Sequence, residues 1–320
     1  MKKILAVILS VIMIGSMCLS VTGCAADDGK YVIGICQYMP HVALDEATQG
    51  FKDALVDILG EDNVVFREGD AAGEPANCTT IIDGFISENV DMILANATPA
   101  LQAAASATDT IPILGTSVTD YASALNIDNW TGTVGRNISG TSDLAPLDQQ
   151  AAVINELFPD AKTVGMIYCT SEPNSLYQVN MIEGYLKELG YTCQRFAFND
   201  VNDLGSMTEA AASACDVLYV PTDNIAANYP ETIANVVKPM KKPLVAGEAG
   251  ICAACGVATL SISYYDLGYA TGEMAAKILK GEADITTMPV ETLAEVQKMY
   301  NADMCEALGI PAPAGYAPIS

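Results

Sequence analysis

The chain has 320 residues, 51% of them hydrophobic, with 15 basic against 39 acidic side chains and a formal net charge of −24. A field of that sign repels phosphate backbones and anionic headgroups, so nucleic acid is excluded as a partner. The length exceeds what one hydrophobic core usually organises, and two lobes are expected.

Residues 1–23 read as an export signal, with Lys2 and Lys3 ahead of an apolar run from Ile4 to Val21. Val21-Thr22-Gly23-Cys24 closes the run in the pattern of a bacterial lipobox, pairing small residues for a signal peptidase with a thiol for diacylglycerol transfer. Cys24 is expected to become the lipidated N-terminus, with 24–30 as a tether at the extracytoplasmic face of the cell membrane. An uncleaved transmembrane helix is the alternative, and it too leaves the remaining chain outside the cytoplasm.

From Tyr31 onward, short apolar runs alternate with longer amphipathic ones. Residues 31–36 read as a buried strand, and 44–59 as a helix with Leu44, Phe51, Leu55, Ile58 and Leu59 on one face. Strands at 64–66, 91–95 and 111–114 alternate with helices at 75–87 and 99–107, which makes a doubly wound α/β half. A break rich in Asn, Thr and Gly spans 120–140. The alternation then resumes, with helices at 147–157, 175–189, 203–214 and 224–237 and strands at 163–168, 192–198, 216–220 and 244–246. A strand at 257–263 and a helix at 265–280 can complete the first lobe. The expected division is 31–130 with about 247–285 for the N-terminal lobe, and about 131–246 with 286–320 for the C-terminal lobe.

Cys36, Cys169 and Cys215 lie in or beside apolar runs, where a free thiol behaves as a small core residue. Cys252 and Cys255 are the one close pair and suit a redox couple, half a zinc site or a local disulfide. With no second ligand pair and His41 the only histidine, neither metal nor cofactor is expected, and the pairing stays open.

Ligands of open α/β sheets gather beyond the carboxyl ends of the strands. Those ends carry the polar segments of this chain: Gln37-Tyr38-Met39-Pro40-His41, Asn96-Ala97-Thr98-Pro99 and Thr116-Ser117-Val118-Thr119-Asp120 in the first half. The second half has Thr170-Ser171-Glu172-Pro173-Asn174-Ser175, Thr222-Asp223-Asn224 and Gly247-Glu248. Facing each other across a cleft, such loops are what a small polar ligand requires.

At these loops the chain resembles the substrate-binding lipoproteins of bacterial ABC importers, of the tryptophan and tyrosine uptake type. The resemblance rests on Gly34-Ile35-Cys36-Gln37 with His41 and Leu44-Asp45, Ala97-Thr98-Pro99-Ala100, Ser117-Val118-Thr119-Asp120 and Ser139-Gly140-Thr141-Ser142-Asp143. It continues through Ser171-Glu172-Pro173-Asn174-Ser175, Pro221-Thr222-Asp223-Asn224, Gly247-Glu248 and Gly268-Tyr269-Ala270-Thr271-Gly272. No single piece is specific, whereas the ordered set is, and it covers nearly all of the mature chain. Tyr121 departs from the proline common in the family after the Thr-Asp pair. The resemblance implies two doubly wound, Rossmann-like lobes with an interlobe cleft, the type I periplasmic-binding-protein fold. It also implies an amino acid ligand, aromatic by class, delivery to an ABC permease and its ATPase, and no catalysis.

An α-amino acid zwitterion needs donors for its carboxylate, an acidic group for its ammonium and an apolar wall for its side chain. Thr98-Pro99 opening a helix offers a hydroxyl and free N–H groups, and also reads as an ordinary helix start. Ser117 and Thr119 add hydroxyls. Asp223 is favoured for the ammonium, with Glu248 and Asp120 in reserve, although Asp223 equally suits a cap of the helix beginning at Asn224. Asn174 and Ser175 read as contacts or caps, and Gln37 and Tyr38 complete the set. Tyr38 and Tyr264 are candidates for stacking or for packing. His41 reads as a loop or cap contact.

Two rival readings keep the fold. A sugar or nucleoside lipoprotein usually sandwiches a ring between Trp or Phe, whereas the only tryptophan, Trp130, lies in the break between the halves. A sensor domain feeding a membrane kinase or chemoreceptor has the same sequence signals. An enzyme is disfavoured, because the chain has no Gly-x-Ser-x-Gly elbow, Walker loop or Gly-x-Gly-x-x-Gly fingerprint.

Overall fold

Apolar runs flanked by amphipathic ones condense into two sheets, each covered by helices. The computed structural model describes residues 29–319, so the export segment 1–23 and Cys24 lie outside the described residues. The first lobe begins with β1 (Tyr31–Gln37), α1 (Val42–Leu59), β2 (Val64–Asp70), α2 (Pro75–Glu88), β3 (Met92–Asn96), α3 (Thr98–Ala107), β4 (Ile113–Val118), α4 (Tyr121–Ala124) and β5 (Ile138–Ser142). The second lobe follows with α5 (Leu147–Leu157), β6 (Thr163–Cys169), α6 (Pro173–Glu188), β7 (Thr192–Phe198), α7 (Val201–Ala214) and β8 (Val217–Val220). It continues through α8 (Asn224–Asn228), α9 (Pro230–Val237), β9 (Leu244–Ala246), α10 (Ala249–Cys255) and β10 (Ala258–Ser261). Then α11 (Tyr264–Leu279) and β11 (Glu291–Thr292) return to the first lobe, while β12 (Gln297–Tyr300), α12 (Ala302–Leu308) and β13 (Ala317–Pro318) close the second.

The first sheet has the order β11-β5-β4-β3-β1-β2, and the second β13-β12-β10-β9-β8-β6-β7. All pairs are parallel except β10 with β12. β3 and β8, covered on both faces, are buried throughout and apolar except for Asn96, whose amide donates to the Leu44 carbonyl and the Thr48 hydroxyl. In the first lobe one face packs Ile33, Ile35, Leu94 and Leu114 on Phe51 and Met274, and the other packs Ile93 and Ile113 on Ile82 and Leu101.

The chain leaves the first sheet after Ser142 rather than near 130, and the second after Ser261 rather than near 247. The displaced boundary has a physical source. β5 is the polar run Ile-Ser-Gly-Thr-Ser, and its hydroxyls are satisfied internally: Ser139 donates to Met288 and Pro289 carbonyls, and Thr141 bonds Thr271 on α11 at 2.8 Å. The helix expected over 224–237 is split at Tyr229, because Pro230 starts a new helix without an N–H to continue the old one. Tyr121 is core rather than cleft: its hydroxyl donates to the Thr141 carbonyl, and its ring stacks on Trp130 with centroids 6.5 Å apart. Cys252 and Cys255 are both buried free thiols.

Although α11 is far from α1 in sequence, the two pack at backbone contact. A Cβ on Gly268 would lie 1.9 Å from the Ala47 carbonyl oxygen, and one on Gly50 would lie 2.0 Å from that of Tyr265. Tyr265 and Tyr269 then donate to Asp53 and Asp57 along the solvent edge of the same contact. Gly268→Ala is therefore expected to destabilise the protein by about 1–3 kcal/mol through overpacking. Gly184→Ala, on the exposed face of α6 with nothing within 4 Å, is expected to be neutral or stabilising. Thermal unfolding of both variants checks the pair.

Candidate functional site

A cleft with about 300 Å³ of empty space, part of it open to solvent, lies between the two sheets. Its walls come from the ends of, and the segments after, β1, β4 and β5 of the first lobe and β6, β8, β9 and β10 of the second. Every one of these is the carboxyl end of a strand, where the parallel topology directs its loops inward. The apolar part of the wall is Ala43, Leu44, Ala227 and the ring of Tyr264.

Three buried carboxylates around the cavity are already occupied. Glu172 accepts from the Asn224 backbone at 3.0 Å, the Asn224 amide at 2.7 Å, Ile225 N at 3.1 Å and the Asn174 amide at 3.0 Å. Asp223 accepts from Cys169 N at 2.7 Å and caps α8 through Ala226 N at 3.0 Å. Glu248 caps α10 through Gly250 N and Ile251 N. Burial pushes Asp223 up to about 7, with the neighbouring Glu172 charge adding to it and the N–H donors opposing. Burial likewise holds Glu248 at about 7 against its two backbone donors.

Four side chains of these walls each carry a buried polar atom without a partner: His41 Nδ1, Ser117 Oγ, Asp143 Oδ1 and Asn174 Oδ1. Asp143 lies on the first crossing between lobes, and its other oxygen accepts from Tyr264 on the second crossing at 2.9 Å. Burial raises the Asp143 pKa, opposed by the Tyr264 and Thr119 hydroxyls, and a cation placed at Oδ1 would favour its ionised form. His41 bonds across the cleft to Asn224 Oδ1 at 3.3 Å, and burial lowers its pKa to about 4. Gln178 also reaches across, at 3.4 Å from Thr119 Oγ1. Ser117 is held at φ +54°, a left-handed conformation that non-glycine residues avoid.

Of the residues expected from the sequence, the fold brings Ser117, Thr119, Asn174, Asp223 and Glu248 to the cavity. Gln37 turns onto its own lobe, where it bonds Met39, Asp45 and Thr48. Tyr38 donates to the Gly73 carbonyl beside a separate groove. Thr98 is buried at the start of α3 away from the cavity wall, Asp120 caps α4 through Ser123 N, and Ser175 is buried behind Asn174. Three participants were not assigned to the site from sequence. Asp143 follows a strand too polar to read as one, Asn224 reads from the sequence only as a helix start, and His41 makes no cap bond. The Ser-Gly-Thr-Ser-Asp segment was the available signal for Asp143. Among the described residues, no group of three or more His, Cys, Asp or Glu side chains is placed to hold a metal ion.

The model of the ABC transporter substrate binding protein family matches residues 32–314. A tyrosine-binding protein of Clostridioides difficile (strain R20291) is 34% identical over 323 residues, with 96% of this chain and 92% of that protein covered. A solved structure of the ABC domain from Streptococcus pneumoniae in complex with L-Trp superposes with a TM-score of 0.86 at 30% identity, covering 91% of this chain and 100% of that one. The ligand-free, open structure of a substrate-binding protein with adhesive properties from Clostridium difficile gives a TM-score of 0.71 at 34% identity, covering 91% and 99%.

A carboxyl group whose pKa is higher in the fold than in the unfolded chain stabilises the fold when protonated, and that contribution is lost as pH rises through the folded value. Glu248 and Asp223, both near 7, are therefore expected to make the ligand-free protein more stable at about pH 6.5 than at about pH 8, by roughly 1 kcal/mol each. The interval lies well above the depressed pKa of His41, whose opposing contribution is lost mainly at lower pH. Melting curves across the interval check the sign, and Glu248→Gln is expected to flatten the dependence.

Proposed function

We propose that this chain, which belongs to the ABC transporter substrate-binding protein family and has the type I periplasmic-binding-protein fold, binds an aromatic α-amino acid, tyrosine or tryptophan, and delivers it to a membrane permease and its ATPase. The observation that carries the ligand class is the set of unpaired polar atoms on side chains that line the interlobe cavity. Asp143 Oδ1 is a carboxylate oxygen with no donor, the partner an α-ammonium needs, and a charge-assisted bond there is worth more than a neutral one. Ser117 Oγ can donate to the α-carboxylate. Leu44, Ala43 and Ala227 supply apolar wall for the side chain.

Two observations support lobe closure as the transport step. Hydrogen bonds from His41 to Asn224 and from Gln178 to Thr119 cross between the lobes. The chain also superposes better on the relative holding L-Trp than on the open, ligand-free one, despite lower identity to the former. A ligand that bridges the lobes stabilises this arrangement by the difference in its affinity for the closed and open states. We further infer that the lipobox exports the protein and anchors it through lipid on Cys24 at the outer face of the cell membrane.

In a thermal-shift screen of the domain from residue 25 against the twenty amino acids, common sugars and nucleosides, tyrosine and tryptophan are expected to raise the melting temperature selectively. A hundredfold excess over the dissociation constant stabilises by about 2.7 kcal/mol. A shift with a sugar or nucleoside alone overturns the ligand class. Asp143→Asn is expected to weaken binding by about 10- to 100-fold, whereas Asp120→Asn, whose side chain caps α4 and does not line the cavity, leaves it unchanged. In cells, Cys24→Ser is expected to abolish incorporation of labelled palmitate and release the protein from the membrane fraction.

A further inference from the structure

We propose that His41 selects ligands with a hydrogen-bond donor on the side chain, so that tyrosine and tryptophan are accepted and phenylalanine is disfavoured. This rests on the aromatic amino acid reading and adds to it the chemistry of the far end of the ligand.

The tautomer of His41 follows from a carboxylate two bonds away. Glu172 Oε2 accepts from Asn224 Nδ2 at 2.7 Å, which fixes that amide with its NH₂ toward Glu172 and its oxygen toward His41. An amide oxygen can only accept, so the 3.3 Å contact to His41 requires the hydrogen on Nε2. Burial keeps the ring neutral near pH 7, so Nδ1 carries a bare lone pair. That atom is buried, unpartnered and on the cavity wall.

The same carboxylate oxygen accepts from Asn174 Nδ2 at 3.0 Å, and the Thr222 carbonyl accepts from that NH₂ at 3.3 Å. Asn174 Oδ1 is also without a donor, and its residue lines the cavity. His41 Nδ1 and Asn174 Oδ1 are thus two free acceptors whose orientations both trace back to Glu172, a Glu172-based group, while Asp143 Oδ1 belongs to a carboxyl held by Tyr264. An α-ammonium seated on Asp143 leaves the Glu172-based group in need of its own donor. The tyrosine hydroxyl and the tryptophan indole N–H each supply one. Phenylalanine brings a ring of similar bulk but no hydrogen for Nδ1, which is then shut away from water with no partner. A site built to bond a substrate OH or NH rejects the analogue lacking it for this reason.

The test is calorimetric titration of untagged protein with L-tyrosine, L-tryptophan and L-phenylalanine, for the native chain and for His41→Phe. The native chain is expected to bind the tighter of tyrosine and tryptophan at least about 10-fold better than phenylalanine, and His41→Phe to narrow that gap to within about threefold. Equal binding of tyrosine and phenylalanine by the native chain overturns the role of His41 and leaves the aromatic amino acid reading standing. Failure of all three ligands to bind overturns that reading, and this inference with it. Because His41 is the only histidine, ¹⁵N-histidine NMR reads its ring without assignment and decides the matter should the variant fail to fold. The free protein is expected to show an unprotonated Nδ1 whose resonance moves on adding tyrosine and not on adding phenylalanine. A protonated Nδ1, or an equal response to both ligands, contradicts the proposal.

Discussion

The Glu172 carboxylate, buried at the mouth of α8, is the group on which the binding surface depends. A helix of only five residues has little cooperative stability of its own, and its first N–H groups need partners inside the protein. Glu172 takes those of Asn224 and Ile225, and Asp223 takes that of Ala226. Burial is the main reason that the Asp223 pKa is raised, and the Glu172 charge beside it adds to the cost. The remaining capacity of Glu172 is spent on the amides of Asn224 and Asn174. Their orientations are therefore settled before any ligand arrives, and Asn224 in turn settles His41.

Buried polar atoms are rarely left unpaired, and each such atom costs about 1–3 kcal/mol. Around this cavity the acids that cap helices are satisfied, while the atoms aimed inward are not. In the proposed transport step, closing the lobes around an empty cavity would incur that penalty, and a zwitterion that supplies the missing partners would offset it, which favours the closed arrangement with ligand bound. The left-handed φ of Ser117 and of Ala97, at the ends of adjacent strands, adds local strain where the first lobe meets the cleft.

Much of this was legible in the sequence because parallel strands covered on both faces leave apolar runs, as in 92–95 and Val217–Val220. The polar segments after those runs led to Ser117, Thr119, Asn174, Asp223 and Glu248. What stayed hidden depends on direction and on unusual polarity. Gln37 and Tyr38 stand at the correct strand end but turn their side chains to their own lobe. Asp223 and Glu248 carry the right charge, yet their oxygens are consumed by helix N–H groups. Asp143 was concealed because β5 is made of Ser, Thr and Gly whose hydroxyls pair internally, so no apolar run announced a strand before it.

The most direct measurement is a crystal structure of the protein grown with L-tyrosine. The α-ammonium nitrogen is expected within about 3 Å of Asp143 Oδ1, between closed lobes, with Asp223 and Glu248 still bonded to their helix N–H groups. Tyrosine bound with its ammonium on Asp223 or Glu248, or bound outside the interlobe cavity, would contradict this description of the site.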